Sequence, residues 1–512
     1  MAYLMTGQVE RVGSKRIDTP VVLSGVVLGL LILAHLSSLS AHTAFYDEAL
    51  YTVIGRKLVQ HVPQYPAVRW ITGSYLYPLI AGLASSTFDM GLYGARLVSV
   101  ACSIGAALAV ALLTGRLFNK TAALLALIVF GFAGVSQLVG QLATYDSLGI
   151  AALAGATVLL VYGLTTPDPR IQRRYLLLAA GCFALSVLSK YVALLFLPVV
   201  IMLVVLLLDY KDRPRARRIL QYFLLPVGMI LSAYIVLYRA DLAVLVTVVQ
   251  QHTWQPAPRL EIGQVILQDG GILGMLGLLG SLHLLRSRHR ARGTILLLCW
   301  MATLVLPTYH LLTGNIRSLD KHIAYALIFL APLAGWGIVQ TLDWIPQRIR
   351  RPGWQALTSL GGILLLVGAI QLELNQGWAL ANSWPDKQAT FDYLRTLAVA
   401  PGTPVLAEGS DIYTLALGWE TSVNPISTWD IGFTHAGATG TAAMKAGLAD
   451  HYFQYLIIDG YYTPELSREL QQIAQTAGYR QVFAHGDVLS SGATVRTEVY
   501  ALNTGSAPGR RP

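Results

Sequence analysis

Long apolar runs, separated by short polar segments, follow one another through the first three quarters of the chain. A helix needs about 20 apolar residues to cross the hydrocarbon core of a bilayer. Runs of this length predict eleven transmembrane helices, at about residues 20–40, 92–114, 121–142, 147–165, 174–189, 191–208, 219–238, 264–285, 294–312, 322–341 and 355–374.

The fifth and sixth predicted spans share one apolar segment of 34 residues, 175–208. As a single helix it would be roughly 51 Å long, too long for one crossing of a core of about 30 Å. It would also place Lys190 near the bilayer centre, where a charge is costly. We therefore predict two short helices with Lys190 at the turn between them.

Basic residues are distributed unevenly among the predicted loops. With the N-terminus on the cytoplasmic side, the inner segments hold 20 Lys and Arg residues, and the outer segments and spans hold nine. This bias follows the positive-inside rule. An odd number of spans then predicts that the C-terminal region is extracytoplasmic.

The pattern changes after about residue 380, where short apolar runs alternate with helical periodicity. We predict a transmembrane domain at 1–379 and a small extracytoplasmic α/β domain at 380–512. Within the second domain, the pattern predicts helices at 387–397 and 464–477 and strands at 404–407, 455–459 and 495–502. Its glycines lack the spacing of a phosphate-binding fingerprint.

The first predicted outer loop, residues 41–92, contains a helical pattern of its own. Apolar residues recur at helical spacing from Asp47 to His61. Such a segment predicts an amphipathic helix that lies along the membrane surface.

Composition supports a polytopic membrane protein and limits the alternatives. Hydrophobic residues make up 54% of the 512 residues and charged residues only 12%, against roughly 25% charged in soluble proteins. The net charge of +10 arises mostly from the inner loops and does not indicate a nucleic-acid surface. Cys102, Cys182 and Cys299 lie in apolar runs and form no motif.

Ionisable residues at membrane depth are costly and therefore mark candidate functional sites. Several gather on the predicted outer side: Asp47, Glu48, Arg96, Asp146, Lys190, Arg317, Lys321 and His322. The carboxylates suit a general base or a metal ion, and the cations suit a phosphate group. An enzyme that takes a sugar from a lipid phosphate needs both, since a hydroxyl must lose its proton and a phosphate must leave.

Each of these residues also has a simpler explanation. Asp47, Glu48 and Asp146 lie where helices begin, and acids there complement the helix dipole. Lys190 could extend its ammonium to the interface and fix a turn, and Arg96 could be a structural ion-pair partner. Trp254 and Trp429 could stack on sugar rings or anchor the chain at the interface.

Several short motifs, in order and on one predicted membrane side, resemble the GT-C superfamily of membrane glycosyltransferases over the first 340 residues. The most similar branch contains the bacterial aminoarabinose transferases and the protein O-mannosyltransferases. The matching segments are 45–51 (FYDEALY), 77–79 (YPL), 94–97 (GARL), 141–148 (QLATYDSL) and 184–191 (ALSVLSKY).

The resemblance implies a polyprenyl-phosphate sugar donor, an inverting displacement and a bacterial cytoplasmic membrane, with Asp47 as the general base. Glu48 and Asp146 would then shape the acceptor site or, with Asp47, hold a divalent metal ion. The donor phosphate would be bound by Lys190, Arg96, Arg317, Lys321 and His322. The acceptor is a lipid, a glycan or a protein. Metal dependence stays open, because no HExxH or Cys/His pattern is present.

A polytopic transporter or lipid flippase with an outer polar site is the competing class. Such a protein favours repeated halves with matching Gly- or Pro-broken helices, which the sequence does not show. A membrane scaffold that displays the C-terminal domain is a third alternative, but it gives no reason for charges gathered on one side.

Overall fold

The computed structural model of the chain describes residues 19–40, 42–61, 71–87, 90–209, 211–251, 256–286, 290–348, 352–397, 399–420 and 422–503. Trp254 and the basic residues before residue 19, which entered the sequence predictions, lie outside these ranges.

Helices form most of the chain up to Ala381. They are α1 (Thr19–Ser37), α2 (Tyr46–Val59), α3 (Leu76–Ser86), α4 (Gly91–Leu117), α5 (Lys120–Phe132), α6 (Gly134–Gln141), α7 (Tyr145–Thr165), α8 (Pro169–Ser189), α9 (Leu197–Asp209), α10 (Arg213–Ile219), α11 (Leu225–Leu237), α12 (Arg239–Gln251), α13 (Arg259–Arg286), α14 (Arg290–Thr313), α15 (Leu319–Arg348) and α16 (Pro352–Ala381). Within the described ranges, ten helical segments are long and apolar enough to span a membrane, and the bent pair α5–α6 supplies an eleventh. The predicted polytopic helical protein is confirmed, and each predicted span overlaps one of these segments.

The third predicted span is not one straight helix. α5 and α6 meet at 63°, because Ala133 between them has a non-helical ψ of 134°. Backbone groups freed by such a break need new partners inside a membrane. Glu373 on α16 accepts a hydrogen bond from the Gly134 N–H (2.8 Å), and the Gln137 side chain donates to the Gly131 carbonyl.

The predicted split at Lys190 is confirmed. Lys190 has extended backbone (φ −145°, ψ 118°) after the end of α8, and a short 3₁₀ turn leads into α9. The chain before α3 packs against this turn, where the Tyr191 N–H donates to the Thr72 carbonyl (3.0 Å). Gly73 permits this approach, because a Cβ there would come within 2.1 Å of the Ser189 carbonyl oxygen.

The C-terminal part is an α/β region built on a five-stranded sheet. Its elements are α17 (Gln388–Thr396), β1 (Pro404–Ala407), α18 (Ser410–Leu417), β2 (Asn424–Ser427), β3 (Thr434–His435), β4 (Ala438–Thr439), α19 (Gly440–Ala449), β5 (Tyr455–Ile458), α20 (Pro464–Thr476), β6 (Tyr479–Val488) and β7 (Thr494–Leu502). The strand order is β2-β1-β5-β7-β6, in which β2, β1 and β5 are parallel and β7 is antiparallel to both of its neighbours. The predicted helices and strands are all present. Strand β6 was not predicted, because most of its side chains are solvent-exposed and carry no alternating apolar pattern.

Helix α2, which was predicted to be amphipathic and to lie along a membrane surface, is largely buried within the protein. Nine of its 14 residues are buried, because α3 packs on one side and α18 of the α/β region packs on another. The contact with α3 is close, since a Cβ at Gly55 would lie 1.8 Å from the Pro78 carbonyl oxygen. The helix is therefore an internal element between the membrane bundle and the α/β region.

Candidate active site

Two neighbouring acids at the start of α2, Asp47 and Glu48, have different surroundings. Glu48 is fully buried. Its carboxylate accepts two hydrogen bonds from the Arg96 guanidinium (2.8 and 2.9 Å) and one each from the backbone N–H of Phe45 (2.9 Å) and Ala143 (2.8 Å). The Glu48 carboxylate is therefore fully engaged within the protein.

Arg96, on α4, is equally engaged. Two of its donors bind Glu48, and the others bind the backbone carbonyls of Leu39, His42 and Thr43. These bonds use all five N–H donors of a guanidinium and fix the segment between α1 and α2 against α4. A phosphate could reach this guanidinium only by displacing one of these acceptors.

Asp47, in contrast, keeps contact with solvent. Its side chain is 28% exposed, and its Oδ2 accepts a hydrogen bond from Lys321 Nζ on α15 at 2.6 Å. The same ammonium lies 4.8 Å from the centre of the Phe45 ring, within the range of a cation–π interaction. Asp47 thus combines an accessible carboxylate with a buried cation partner.

A second ion pair joins Asp146, at the start of α7, to Lys190, at the turn after α8. Both side chains are buried, and Lys190 Nζ donates to Asp146 Oδ1. Each carboxylate also acts electrostatically on the lysine of the other pair. The fold therefore brings Asp47, Asp146, Lys190 and Lys321 into one region at the same end of the helix bundle.

Three buried polar atoms beside these pairs have no hydrogen-bond partner in the part of the chain that the structure describes. They are Asp146 Oδ2, His322 Nε2 and the Tyr325 hydroxyl. The hydroxyl lies against Gly149, about one helical turn after Asp146, because a Cβ there would be 2.2 Å from it. Buried polar groups are normally satisfied, so these atoms mark a place for a polar ligand or ordered water.

A chain of hydrogen bonds determines which ring nitrogen of His322 carries the hydrogen. His310 Nδ1 contacts the Asn315 carbonyl oxygen, and His310 Nε2 lies 2.7 Å from His322 Nδ1. Since a carbonyl can only accept, His310 Nδ1 carries a hydrogen, and in neutral rings His310 Nε2 accepts from His322 Nδ1. His322 Nε2 is then a hydrogen-bond acceptor.

Arg317 lies between the bundle and the α/β region. Its guanidinium is 5.9 Å from the centre of the Trp429 ring, and Trp429 stacks on Tyr46 with ring centres 6.2 Å apart. Tyr462 also contacts Tyr46, at 5.5 Å. Burial raises the pKa of the Tyr46 and Tyr462 hydroxyls well above the ordinary value, so both remain neutral. These rings form an aromatic rim next to Asp47.

The segment between α16 and α17 holds the chain just before Asp47. The Trp384 indole N–H donates to the Thr43 carbonyl (3.1 Å), and the Lys387 backbone N–H donates to the Thr43 hydroxyl (2.9 Å). The Lys387 ammonium is buried and donates to Asp459 and Thr497. Burial lowers the pKa of Lys387 to about 8. The α/β region therefore helps to position Asp47.

Glu408, directly after β1, organises the loop that carries Tyr462. Its buried carboxylate accepts five hydrogen bonds of 2.5–3.0 Å, from the backbone of Asp459, Gly460, Tyr462 and Thr463 and from the Ser467 hydroxyl. Sequence reasoning missed Glu408 and Lys387. The available signal for Glu408 was its position at the carboxyl end of an apolar strand, where polar groups of parallel sheets collect.

The surroundings of the site carboxylates bear on whether they could hold a divalent metal ion. Each one already has a cationic partner: Lys321 for Asp47, Arg96 for Glu48 and Lys190 for Asp146. Across the described ranges, no group of three or more His, Cys, Asp or Glu side chains is arranged to hold a metal ion. A divalent cation beside Lys190 and Lys321 would also be repelled by both.

Part of the chain matches a known protein family. Residues 73–238, which include Arg96, Asp146 and Lys190, match the family model described as dolichyl-phosphate-mannose-protein mannosyltransferase. No curated protein matches the chain in sequence.

Several solved structures share the fold. ArnT from Cupriavidus metallidurans in the apo state has a TM-score of 0.62 at 14% identity, covering 95% of this chain and 99% of ArnT. ArnT bound to undecaprenyl phosphate has a TM-score of 0.63 at 13% identity, covering 96% and 100%. The oligosaccharyltransferase AglB from Archaeoglobus fulgidus, in complex with an inhibitory peptide and a dolichol-phosphate, has a TM-score of 0.56 at 13% identity, covering 95% and 75%.

The structural likenesses establish the fold, and the family model matches the segment that carries three of the eight predicted site residues. The chain therefore shares the fold of ArnT and, over residues 73–238, resembles the protein mannosyltransferases.

Proposed function

We propose that this enzyme transfers a sugar from a polyprenyl-phosphate donor to an acceptor hydroxyl by inverting displacement, with Asp47 as the general base. The observation that carries the proposal is the pair of neighbouring acid–lysine contacts, Asp47–Lys321 and Asp146–Lys190, beside buried polar atoms without partners. That ArnT binds undecaprenyl phosphate supports the donor class.

In the proposed reaction, the Asp47 carboxylate acts on the acceptor and the two lysines act on the donor phosphate. The acceptor oxygen attacks the anomeric carbon while its proton passes to the Asp47 carboxylate. The bond from the anomeric carbon to the phosphate oxygen breaks on the opposite face. Lys190 and Lys321 stabilise the phosphate monoester that leaves. Because Lys321 contacts Asp47 before the donor binds, a donor phosphate that attracts this ammonium would release the base.

The remaining predicted residues receive supporting roles. Glu48 and Arg96 position the chain on either side of Asp47, since their polar atoms are engaged with each other and with backbone. His322 Nε2, as an acceptor, suits a sugar hydroxyl better than a phosphate oxygen. Arg317 and its aromatic rim border the path of the acceptor.

We place this site on the extracytoplasmic face, with the N-terminus in the cytoplasm. The bundle end that carries Asp47 and Lys190 is opposite the end that carries the arginines at the start of α8 and in α10. Arginine-rich short loops favour the cytoplasmic side.

Substitution of Lys190 by Gln tests the donor site. We expect a KM for a polyprenyl-phosphate sugar about 10- to 100-fold higher, because a charge-assisted hydrogen bond contributes about 1.5–3 kcal/mol. The assay uses full-length protein with radiolabelled polyprenyl-phosphate mannose and polyprenyl-phosphate arabinose, and membrane acceptors.

The double variant Asp146→Asn/Lys190→Gln separates binding from folding. It leaves no buried charge unpaired, so it should be as stable as the wild type while its KM stays high. A donor KM at the wild-type value would overturn the role of Lys190. Absence of transfer by the wild type with both donors would count against the proposed donor class.

Cysteine labelling tests the orientation. In a background with the three native cysteines replaced by Ala, Ser491→Cys in the β6–β7 turn should react with an impermeant maleimide added to intact cells. Pro167→Cys, between α7 and α8, should react only after the membrane is opened. Both positions are exposed, so the reverse pattern would refute the orientation and not merely reflect burial.

Removal of metal ions should leave transfer unchanged. The two lysines already supply positive charge at the phosphate site, so we expect EDTA to alter kcat by less than about twofold. A loss of activity that Mg²⁺ or Mn²⁺ restores would show that the carboxylates exchange their lysine partners for a metal.

A further inference from the structure

A second polar cleft lies at the opposite end of the bundle from the proposed active site. It has a volume of about 740 Å³ and lies between the start of α8, the end of α9, α10 and the chain that follows α10. α8 separates it from Lys190 by 21 residues, or about 30 Å of helix. Neither Asp47 nor Lys190 lines this cleft, so it needs its own explanation.

The cleft is strongly basic. Its described lining contains no Asp or Glu and contains the side chains of Arg170, Arg173, Arg213, Arg217 and Arg218. The acids nearest in sequence are engaged elsewhere: Asp168 caps α8 through the Arg170 backbone N–H, and Asp212 pairs with Arg215.

Two of the arginines are held in place by neighbours that leave the concave surface positively charged. The Arg173 guanidinium lies 5.2 Å from the centre of the Tyr222 ring, and the Arg218 guanidinium donates to the buried Gln172 side chain. Their partners are neutral, and within the described part of the chain neither guanidinium is paired with an acid. Arginine presents a planar fork of donors that matches phosphate geometry.

The apolar surroundings favour a lipid over a soluble anion. Leu208 and Leu220 line the cleft and are 47% and 46% exposed, at the ends of two membrane-spanning helices. A headgroup among the arginines would place its acyl chains along these leucines and into the hydrocarbon. Basic pockets between transmembrane helices bind anionic headgroups on the cytoplasmic side.

We propose that this cleft binds the phosphate headgroup of an anionic phospholipid of the leaflet opposite the active site. The positive-inside distribution of charge does not by itself require several arginines to line the same cleft. Arg174, adjacent to Arg173 and also exposed, lies at the same end of the bundle but does not line the cleft.

This difference supplies a matched control. The experiment measures phosphatidylglycerol bound to full-length protein by native mass spectrometry, for the wild type, Arg173→Gln, Arg217→Gln, the double variant and Arg174→Gln. We expect affinity to fall about fivefold for each cleft arginine and roughly 25-fold for the double variant. Arg174→Gln should bind as the wild type does. The five proteins should have equal melting temperatures, because the substituted side chains are exposed.

Two further arms identify the ligand. Phosphatidylcholine should bind weakly and equally to all variants, and inorganic phosphate should not displace phosphatidylglycerol at equal concentration. An equal loss of binding in Arg174→Gln would show that general surface charge explains the effect, and it would contradict the proposal that the cleft is a lipid-binding site. Displacement by inorganic phosphate would overturn the assignment to a lipid.

Discussion

Replacement of Asp47 by Asn should lower kcat by about 100- to 10,000-fold, which is the usual contribution of a general base. The amide has nearly the shape of the carboxylate but cannot take the acceptor proton. Donor KM should change little, because Lys190 and Lys321 remain in place. Steady-state transfer with the full-length protein measures both constants.

Asp320→Asn is the matched control for this change. Asp320 is a partly buried acid next to Lys321 at the start of α15. Its replacement by Asn removes the same charge from the same end of the bundle. We expect kcat within about threefold of the wild type. Equal losses in Asp47→Asn and Asp320→Asn would indicate a general field effect and remove Asp47 as the base.

Glu48→Gln should have the largest effect on stability. The substitution leaves the buried Arg96 without its charge partner, and loss of one member of a buried ion pair costs about 3–5 kcal/mol. The amide group also cannot accept all four of the hydrogen bonds that the carboxylate accepts. A thermal denaturation assay in detergent should show a clearly lower midpoint.

The comparison of the two neighbouring acids tests their division of roles. Asp47→Asn should lose less stability than Glu48→Gln, since Asp47 is partly exposed and the amide oxygen can still accept the hydrogen bond from Lys321. A Glu48→Gln protein that is as stable as the wild type but inactive would contradict the positioning role and favour a chemical one.

The chain order of helices followed from the sequence because each span is a continuous apolar run. Lys190 could be assigned to a turn since a charge inside a 34-residue apolar segment has few acceptable depths. The bend at Ala133 could not be foreseen, because the apolar run continues through it and its stabilising acid, Glu373, lies 239 residues away from Gly134 in sequence.

Most residues of the candidate site could be identified from the sequence, but the ion pairs among them could not. Charged residues on one membrane side could be collected by topology, which identified Asp47, Asp146, Lys190 and Lys321. The partner of each acid depends on how helices pack, and Asp47 and Lys321 are 274 residues apart. Helix α2 is buried partly because the α/β region packs on it. Its local apolar pattern could not show that a distant part of the chain covers its other side.

The hydrogen bonds to Thr43 also set an order of events during biosynthesis. They join it to Trp384 and Lys387, which are 341 and 344 residues farther along the chain. At elongation rates of about 5–20 residues per second, roughly 20–70 s separate the synthesis of the two sides. The segment that carries Asp47 is made first, and its anchors follow only after helix α16. The segment before Asp47 can therefore be anchored only after residue 387 has been made, and a nascent chain that ends earlier lacks these anchors.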